Sequence, residues 1–199
     1  MLFESEAEYL DEEFRQEHIK QSELNGTLFS DCTFYGCSFL ETTFRYCRFS
    51  ECTFHDCDLS LVNVRGTSFR NVIFRTSKVI GVNWSVASWS TFTSQSPINF
   101  YDCVINYSTF IGLSLPKISF NGCIAKDVDF SEADLTGADF QNATLTMSHF
   151  RKTNLTDSNF ENAIEYALDI TKNTVSKTRF SLPEAYTLLH NLDDIILVE

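Results

Sequence analysis

The chain has 199 residues, 43% of them apolar and 14% aromatic, which suits one domain with a core and excludes a disordered polypeptide. Its 27 acidic against 15 basic residues leave a net charge of −12, which argues against a direct nucleic-acid partner, because Lys and Arg must displace counterions from phosphate. The opening Met1-Leu2-Phe3-Glu4-Ser5-Glu6 lacks a basic segment followed by an apolar one, and no apolar run reaches the ~18 residues of a membrane span, so a cytoplasmic protein without membrane contact is expected.

Residues 1–24 are strongly acidic, with Glu4, Glu6, Glu8, Asp11, Glu12, Glu13, Glu17 and Glu23 against Arg15 and Lys20. Within this segment a beat of five begins. Stepping from Phe14 gives Ile19, Leu24, Phe29, Phe34, Phe39, Phe44, Phe49, Phe54, Leu59, Val64, Phe69, Phe74, Val79, Trp84 and Trp89. After a one-residue slip the beat resumes at Phe100 and runs by fives to Phe180, interrupted only by Ala125 and Glu165. Of the 33 positions, 31 carry a large apolar side chain, and they hold 17 of the 19 phenylalanines; Phe3 and Phe92 fall outside. Neither a helical period of 3.6 nor a strand period of 2 generates such spacing.

The position two residues earlier is mostly small, as at Thr27, Thr42, Ala133, Ala138, Ser148 and Ser158, and it holds all seven cysteines: 32, 37, 47, 52, 57, 103 and 123. Residues two apart in extended backbone point the same way. The large residue and its small predecessor therefore both face inward. A buried cysteine in this column acts as a small apolar residue. His55 follows the inward Phe54 and points out, so Cys52, His55 and Cys57 cannot converge on a metal. Cys32 and Cys52, Cys37 and Cys57, and Cys103 and Cys123 stack in adjacent coils with parallel Cβ directions that disfavour disulfides. No cofactor, metal site or catalytic residue is expected. His18, His149 and His190 have no nucleophile or carboxylate at a motif spacing, and there is no phosphate-binding loop.

Segments such as Cys52-Thr53-Phe54-His55-Asp56, Ala133-Asp134-Leu135-Thr136-Gly137 and Ala138-Asp139-Phe140-Gln141-Asn142 resemble the tandem motif of the pentapeptide-repeat family. The resemblance implies an all-β fold, a right-handed quadrilateral parallel β-helix. Each pentapeptide forms one side of a square, so about eight coils of four pentapeptides span 1–181. The alternation of Phe with mostly aliphatic residues after residue 100 supports that square independently. It stacks Phe100, Phe120, Phe140, Phe160 and Phe180 in one ladder and Phe110, Phe130 and Phe150 in the opposite one. At ~4.8 Å per coil the rod is about 40 Å long.

The pattern breaks near 90–99, where Trp89 to Phe100 is a step of eleven, read as two pentapeptides and one extra residue. Thr91-Phe92-Thr93-Ser94-Gln95-Ser96-Pro97 is then a bulge or short loop. It is either a tolerated insertion or a projection that contacts a partner through Phe92. Glu165 in the inward column predicts a distorted coil. Beyond 181 the beat ends. Ser181-Leu182-Pro183-Glu184 has the form of a capping box, and Leu182, Ala185, Tyr186, Leu189 and Leu192 follow helical spacing. Ile195-Ile196-Leu197-Val198 is a β-prone run.

This segment, 182–199, is expected either to cap the β-helix or to form a homodimer interface through Leu182, Tyr186, Leu189, Leu192, Ile195, Ile196 and Leu197. The tail, the slip and Gly81-Val82-Asn83-Trp84 resemble the topoisomerase-protecting branch of the family, the quinolone-resistance and albicidin- or microcin-immunity type. That resemblance implies binding to DNA gyrase, and potentially topoisomerase IV, by DNA mimicry. The acidic residues Asp127, Asp129, Glu132, Asp134, Asp139, Asp157 and Glu161 then stand in for phosphates, although sorting them by side of the square gives no single stripe. The alternative is a cytoplasmic β-helical scaffold for another protein.

Overall fold

A computed structural model of the chain describes residues 3–19, 21–90 and 96–192. Parallel strands of two to four residues stack with a register of 20, so that Phe14 lies against Phe34 and Phe34 against Phe54. The result is the square parallel β-helix that the resemblance implies. We number its faces by their inward residue. The first carries Phe14, the second Ile19, the third Leu24 and the fourth Phe29.

The first face holds a six-stranded sheet running from Glu13–Arg15 through Thr33–Tyr35, Thr53–His55, Val72–Arg75 and Ile98–Tyr101 to Phe120–Asn121. Further along it, Asn159–Phe160 pairs with Arg179–Phe180. The fourth face holds four strands, Glu8–Leu10, Leu28–Ser30, Arg48–Ser50 and Ser68–Arg70. On the third face Glu23–Asn25 pairs with Thr43–Arg45, and elsewhere single bridges continue the stacking.

Turning a corner after every fifth residue needs a sharp reversal of backbone curvature. The residue two after the inward one supplies it with a left-handed conformation, as at Asp31 (φ 55), Glu51 (φ 53), Asp127 (φ 52) and Asp157 (φ 59). Short polar side chains and glycine tolerate that region best. The corners thus select residues that also point into solvent.

Inside, the first face stacks Phe14, Phe34, Phe54, Phe74, Phe100, Phe120, Phe140, Phe160 and Phe180, with successive ring centroids 4.5–5.6 Å apart. On the third face Phe110, Phe130 and Phe150 form the opposing ladder, extended through Trp84. Rings from the two ladders meet edge to face, as Phe120 does with Phe110 and Phe130.

The small inward column has a second task. Its hydroxyls and thiols donate to the carbonyl of the large residue one coil back. Thr67 Oγ1 donates to Phe44 O at 2.8 Å, Ser148 Oγ to Ala125 O at 2.6 Å, and Cys47 Sγ to Leu24 O at 3.3 Å. Cys32, Cys37, Cys52 and Cys57 make the same bond. All seven cysteines are buried free thiols, so their place reflects size and a weak donor. Contact with the stacked Cys32 and Cys37 thiols, and then burial, push the Cys52 and Cys57 thiols up.

Two sequence expectations change, and one residue outside the beat finds its place. First, the step from Trp89 to Phe100 is one side of the square plus six residues, not two sides plus one. Ser68 lies against Ser88 and Phe74 against Phe100, so one coil has 26 residues instead of 20. Phe92 lies outside the described residues. Second, the capping box does not form. Glu184–Asn191 is a 3₁₀-helix preceded by Pro183 without a side-chain cap. Ser181 Oγ instead accepts from Asn162 N–H at 2.8 Å, and Glu184 Oε1 from Glu165 N–H at 2.7 Å. Both residues satisfy the open edge of the last coils. Third, Phe3, which stands outside the beat, is fully buried and meets Phe14, Phe29, Phe34 and Phe39. It plugs the N-terminal end of the tube.

The expected distortion at Glu165 is present. Glu165 turns out into a corner conformation (φ 58) and Tyr166 enters the core in its place. The Tyr166 hydroxyl is buried without a hydrogen-bond partner among the described residues. Burial, and then the Glu184 charge, push its pKa up to about 12.

Candidate partner-binding surface

Each acidic residue singled out by sequence has a defined place on the square. Asp129, Asp134 and Asp139 occupy the position just before the inward residue, on the third, fourth and first faces. Asp127, Glu132 and Asp157 are left-handed corner residues. Glu161 follows the inward Phe160 on the first face. The set winds around three faces and three corners: Asp127, Asp129 and Glu132 gather at the third face, and Asp139, Asp157 and Glu161 at the first.

Their chemistry also differs. The Asp129 carboxylate accepts from Ser131 N–H at 2.9 Å, Asp134 from Thr136 N–H at 3.2 Å, and Asp139 from Gln141 N–H at 3.0 Å. These are side-chain turns that hold the chain at the next corner. Asp134 and Asp139 further accept from Asn154 and Asn121 across coils. Glu132 pairs with Lys152 at 3.8 Å, both exposed. No side-chain partner is assigned to Asp127, Asp157 or Glu161 among the described residues; Asp157 and Glu161 are exposed and Asp127 is half-buried.

Sequence reasoning passed over a row on the first face. Read every coil, the residue after the inward one is Arg15, Tyr35, His55, Arg75, Tyr101, Asn121, Gln141 and Glu161. The Arg15 guanidinium lies 4.2 Å from the Tyr35 ring, Tyr35 stacks on His55 at 5.3 Å, and Arg75 lies 4.6 Å from Tyr101. This face passes from basic and aromatic at the N-terminal end to acidic at the C-terminal end. The signal was legible at a spacing of 20, but only with the six-residue excursion allowed for.

The C-terminal segment divides by its 3₁₀ period of three. Ala185 and Leu188 pack on the core, and Leu188 was not foreseen as the anchor. Leu182 is 82% and Tyr186 47% exposed, with Leu189 and Leu192 half-buried beside them. Ile195, Ile196 and Leu197 lie outside the described residues. Among the described residues no helix is long and apolar enough to cross a membrane.

Comparison with curated proteins gives no significant match. Among solved structures, a trypsin-treated form of QnrB1, described as a plasmid-mediated fluoroquinolone resistance protein, superposes with a TM-score of 0.75 at 19% identity. It covers 96% of this chain and 99% of that one. A second trypsin-treated form gives 0.61 at 17% identity, covering 96% and 100% of the two chains. Full-length QnrB1 gives 0.52 at 20%, covering 94% and 99%. At these identities the likeness establishes the fold. The family model for the pentapeptide repeat region matches residues 27–110 and 94–160. That match spans most of the coils whose inward beat, left-handed corners and 20-residue register are described above, and the chain belongs to the pentapeptide-repeat family.

Proposed function

We propose that this protein binds a type IIA topoisomerase, DNA gyrase in the first instance, at the surface that grips DNA, and protects it from a quinolone-type drug or a toxin acting at the DNA gate. The observation that carries this reading is a rigid rod of net charge −12 whose corners and faces present carboxylates outward. A protein saddle built to hold phosphates through Lys and Arg is complementary to such a rod. Likeness to QnrB1, a resistance protein, supports the same class of role. Asp127, Asp157 and Glu161 contribute most, because their charges are not occupied by internal bonds. Asp129, Asp134 and Asp139 add field while holding their turns.

In this reading, two copies join through Leu182, Tyr186, Leu189 and Leu192, which doubles the rod and places the acidic residues from Asp127 to Glu161 near its middle. The protein works in the cytoplasm, where its partner is.

The test is a gyrase supercoiling assay with and without drug, comparing the native chain with D127N/D157N/E161Q. The native chain is expected to inhibit supercoiling and relieve drug poisoning, with an effect that weakens as salt rises. The triple variant is expected to lose at least about tenfold in potency, about 1.4 kcal/mol of binding. No effect of the native chain in either condition overturns the proposal. L182K/Y186K is expected to sediment as a lighter species than the native protein; a native monomer removes the doubled rod.

A further inference from the structure

The two coils from residue 31 to residue 70 sort their charges by side. They hold four arginines, Arg45, Arg48, Arg65 and Arg70, and five acids, Asp31, Glu41, Glu51, Asp56 and Asp58. Glu41 stands at the corner between the second and third faces, and Asp56 at that between the first and second. Asp31 and Glu51 stand at the corner between the fourth and first faces, and Asp58 lies on the second face, bridged to Lys78. The remaining corner, between the third and fourth faces, has no carboxylate in either coil. Tyr46 (φ 54) and Gly66 (φ 69) form it. Arg45 and Arg65 lie on its third-face side, and Arg48, paired in register with Ser68, on its fourth-face side.

The charge of this edge is not neutralised from within. Arg45 and Arg65 occupy the same position on adjacent coils, about 4.8 Å apart along the rod, where like charges destabilise one another. Arg45 meets Glu23 at 3.6 Å, an exposed pair that contributes little. Arg48 and Arg65 are exposed and make no ion pair among the described residues. Arg70 turns away to Glu51 at 3.8 Å. The other acids along this edge, Glu6 and Glu8, lie two coils toward the N-terminus from Tyr46 and Arg48, about 10 Å away. Tyr46 is 64% exposed at the apex. Its ring lies over Gly66, where a Cβ would come within 2.5 Å of Tyr46 Cδ1, so glycine leaves the ring room to lie along the edge.

We propose that this edge binds duplex DNA, entering a groove with Tyr46 foremost and its arginines on the phosphates of either strand. A convex edge with cations on both flanks matches a groove walled by phosphates on both flanks. A peptide with a single run of carboxylates meets only one flank. Guanidinium forks pair with phosphate oxygens bidentately, and these two coils contain no lysine. The total charge of −12 opposes the contact, but screening over about 10 Å at 0.1 M salt leaves the local field in control. The argument from net charge against nucleic acid therefore holds for the rod as a whole and not for this edge. Arg45, Arg48 and Arg65 together engage about three phosphates, so binding is weak. Its Kd is on the order of 0.1 mM at low salt, with a logarithmic salt slope near about −2.7. The proposal does not rest on the topoisomerase reading, and the two are tested separately.

The experiment is fluorescence anisotropy of a labelled DNA duplex of about two helical turns, and of its single strand, titrated with the full chain at several salt concentrations. R48E/R65E is compared with K126E/K177E, which changes the net charge equally at exposed lysines on other sides of the rod, neither of them ion-paired among the described residues. Circular dichroism confirms that each variant is folded. The native chain is expected to bind the duplex with the affinity and salt slope given above. R48E/R65E should lose at least about tenfold, about 1.4 kcal/mol, and K126E/K177E no more than about twofold. R48Q/R65Q, which removes the cations without adding acids, should flatten the salt slope to about −0.9, one phosphate, and carries the test if R48E/R65E does not fold. No binding by the native chain at about ten times the proposed Kd, or equal losses in the two charge-reversal pairs, overturns the proposal. A single strand bound more tightly than the duplex, or Y46A without effect, overturns the assignment to a groove.

Discussion

Replacing Phe120 by Ala tests whether the ring ladders hold the rod together. Phe120 is fully buried, stacks on Phe100 at 5.6 Å and Phe140 at 5.1 Å, and meets Phe110 and Phe130 edge to face at 5.3 and 5.2 Å. Deleting a buried phenyl ring costs about 3–5 kcal/mol in transfer and cavity energy. The four ring contacts put F120A at the upper end of that range, because each is worth about 0.5–1.5 kcal/mol beyond burial. Strand pairing on both sides prevents the coils from collapsing into the gap. Phe180 ends the same ladder, meeting Phe160 and Tyr166 and only partly buried. F180A should therefore cost no more than about 1–2 kcal/mol. Guanidinium denaturation of the native chain, F120A and F180A, followed by circular dichroism, measures both. A cost for F120A of about 1 kcal/mol or less, well below the usual range, or equal costs for the two variants, refutes the argument that the interior ladder is the main cohesive element.

Further outcomes follow from local chemistry. A small void lined by apolar side chains lies among Phe44, Val64, Phe74 and Trp84, because Val64 is the narrow step of its ladder. V64I should stabilise the protein by about 0.5–1 kcal/mol, and a lower denaturation midpoint than the native chain counts against this. Y166F removes a buried hydroxyl without a partner and should be neutral to stabilising by up to about 1 kcal/mol; a loss above about 1 kcal/mol in thermal melts shows that the hydroxyl is satisfied. The Asp169 carboxyl is held down to about 2 from 3.8 by the Lys172 ammonium, bonded at 2.6 Å, and by Thr171. Its folded pKa is the lower one, so its contribution is present above pH ~4 and is lost as pH falls from about 4 to about 2. Melts of D169N across that window should show a shallower pH dependence than the native chain, and identical slopes refute the assignment.

The period of five, with one large and one small inward residue per side, was enough to place every fifth residue and every cysteine inside, and the alternation of Phe after residue 100 agreed with the square and the ladders that the family resemblance implies. Glu165 announced its distorted coil for the same reason: an unpaired carboxylate cannot remain in a phenyl-lined core. The acids were legible as outward, since corner and pre-inward positions both face water. Their division into turn-holding and free groups was not, because it depends on whether a backbone N–H two residues on lies within reach.

What the tertiary structure alone decided concerns register and ends. Trp89 to Phe100 is eleven residues in any reading, and only pairing of Phe74 with Phe100 shows that six of them leave a single corner. Phe3 belongs to no repeat, yet an open tube end exposes the rings of the first coil and the nearest aromatic covers them. Ser181 and Glu184 match a helix start by spacing, but unpaired backbone N–H groups on the last coils compete for the same side chains and take them. The row on the first face and the cationic edge between the third and fourth emerge only when residues 20 or 26 apart are set side by side, which is a property of the coil and not of neighbours in the chain.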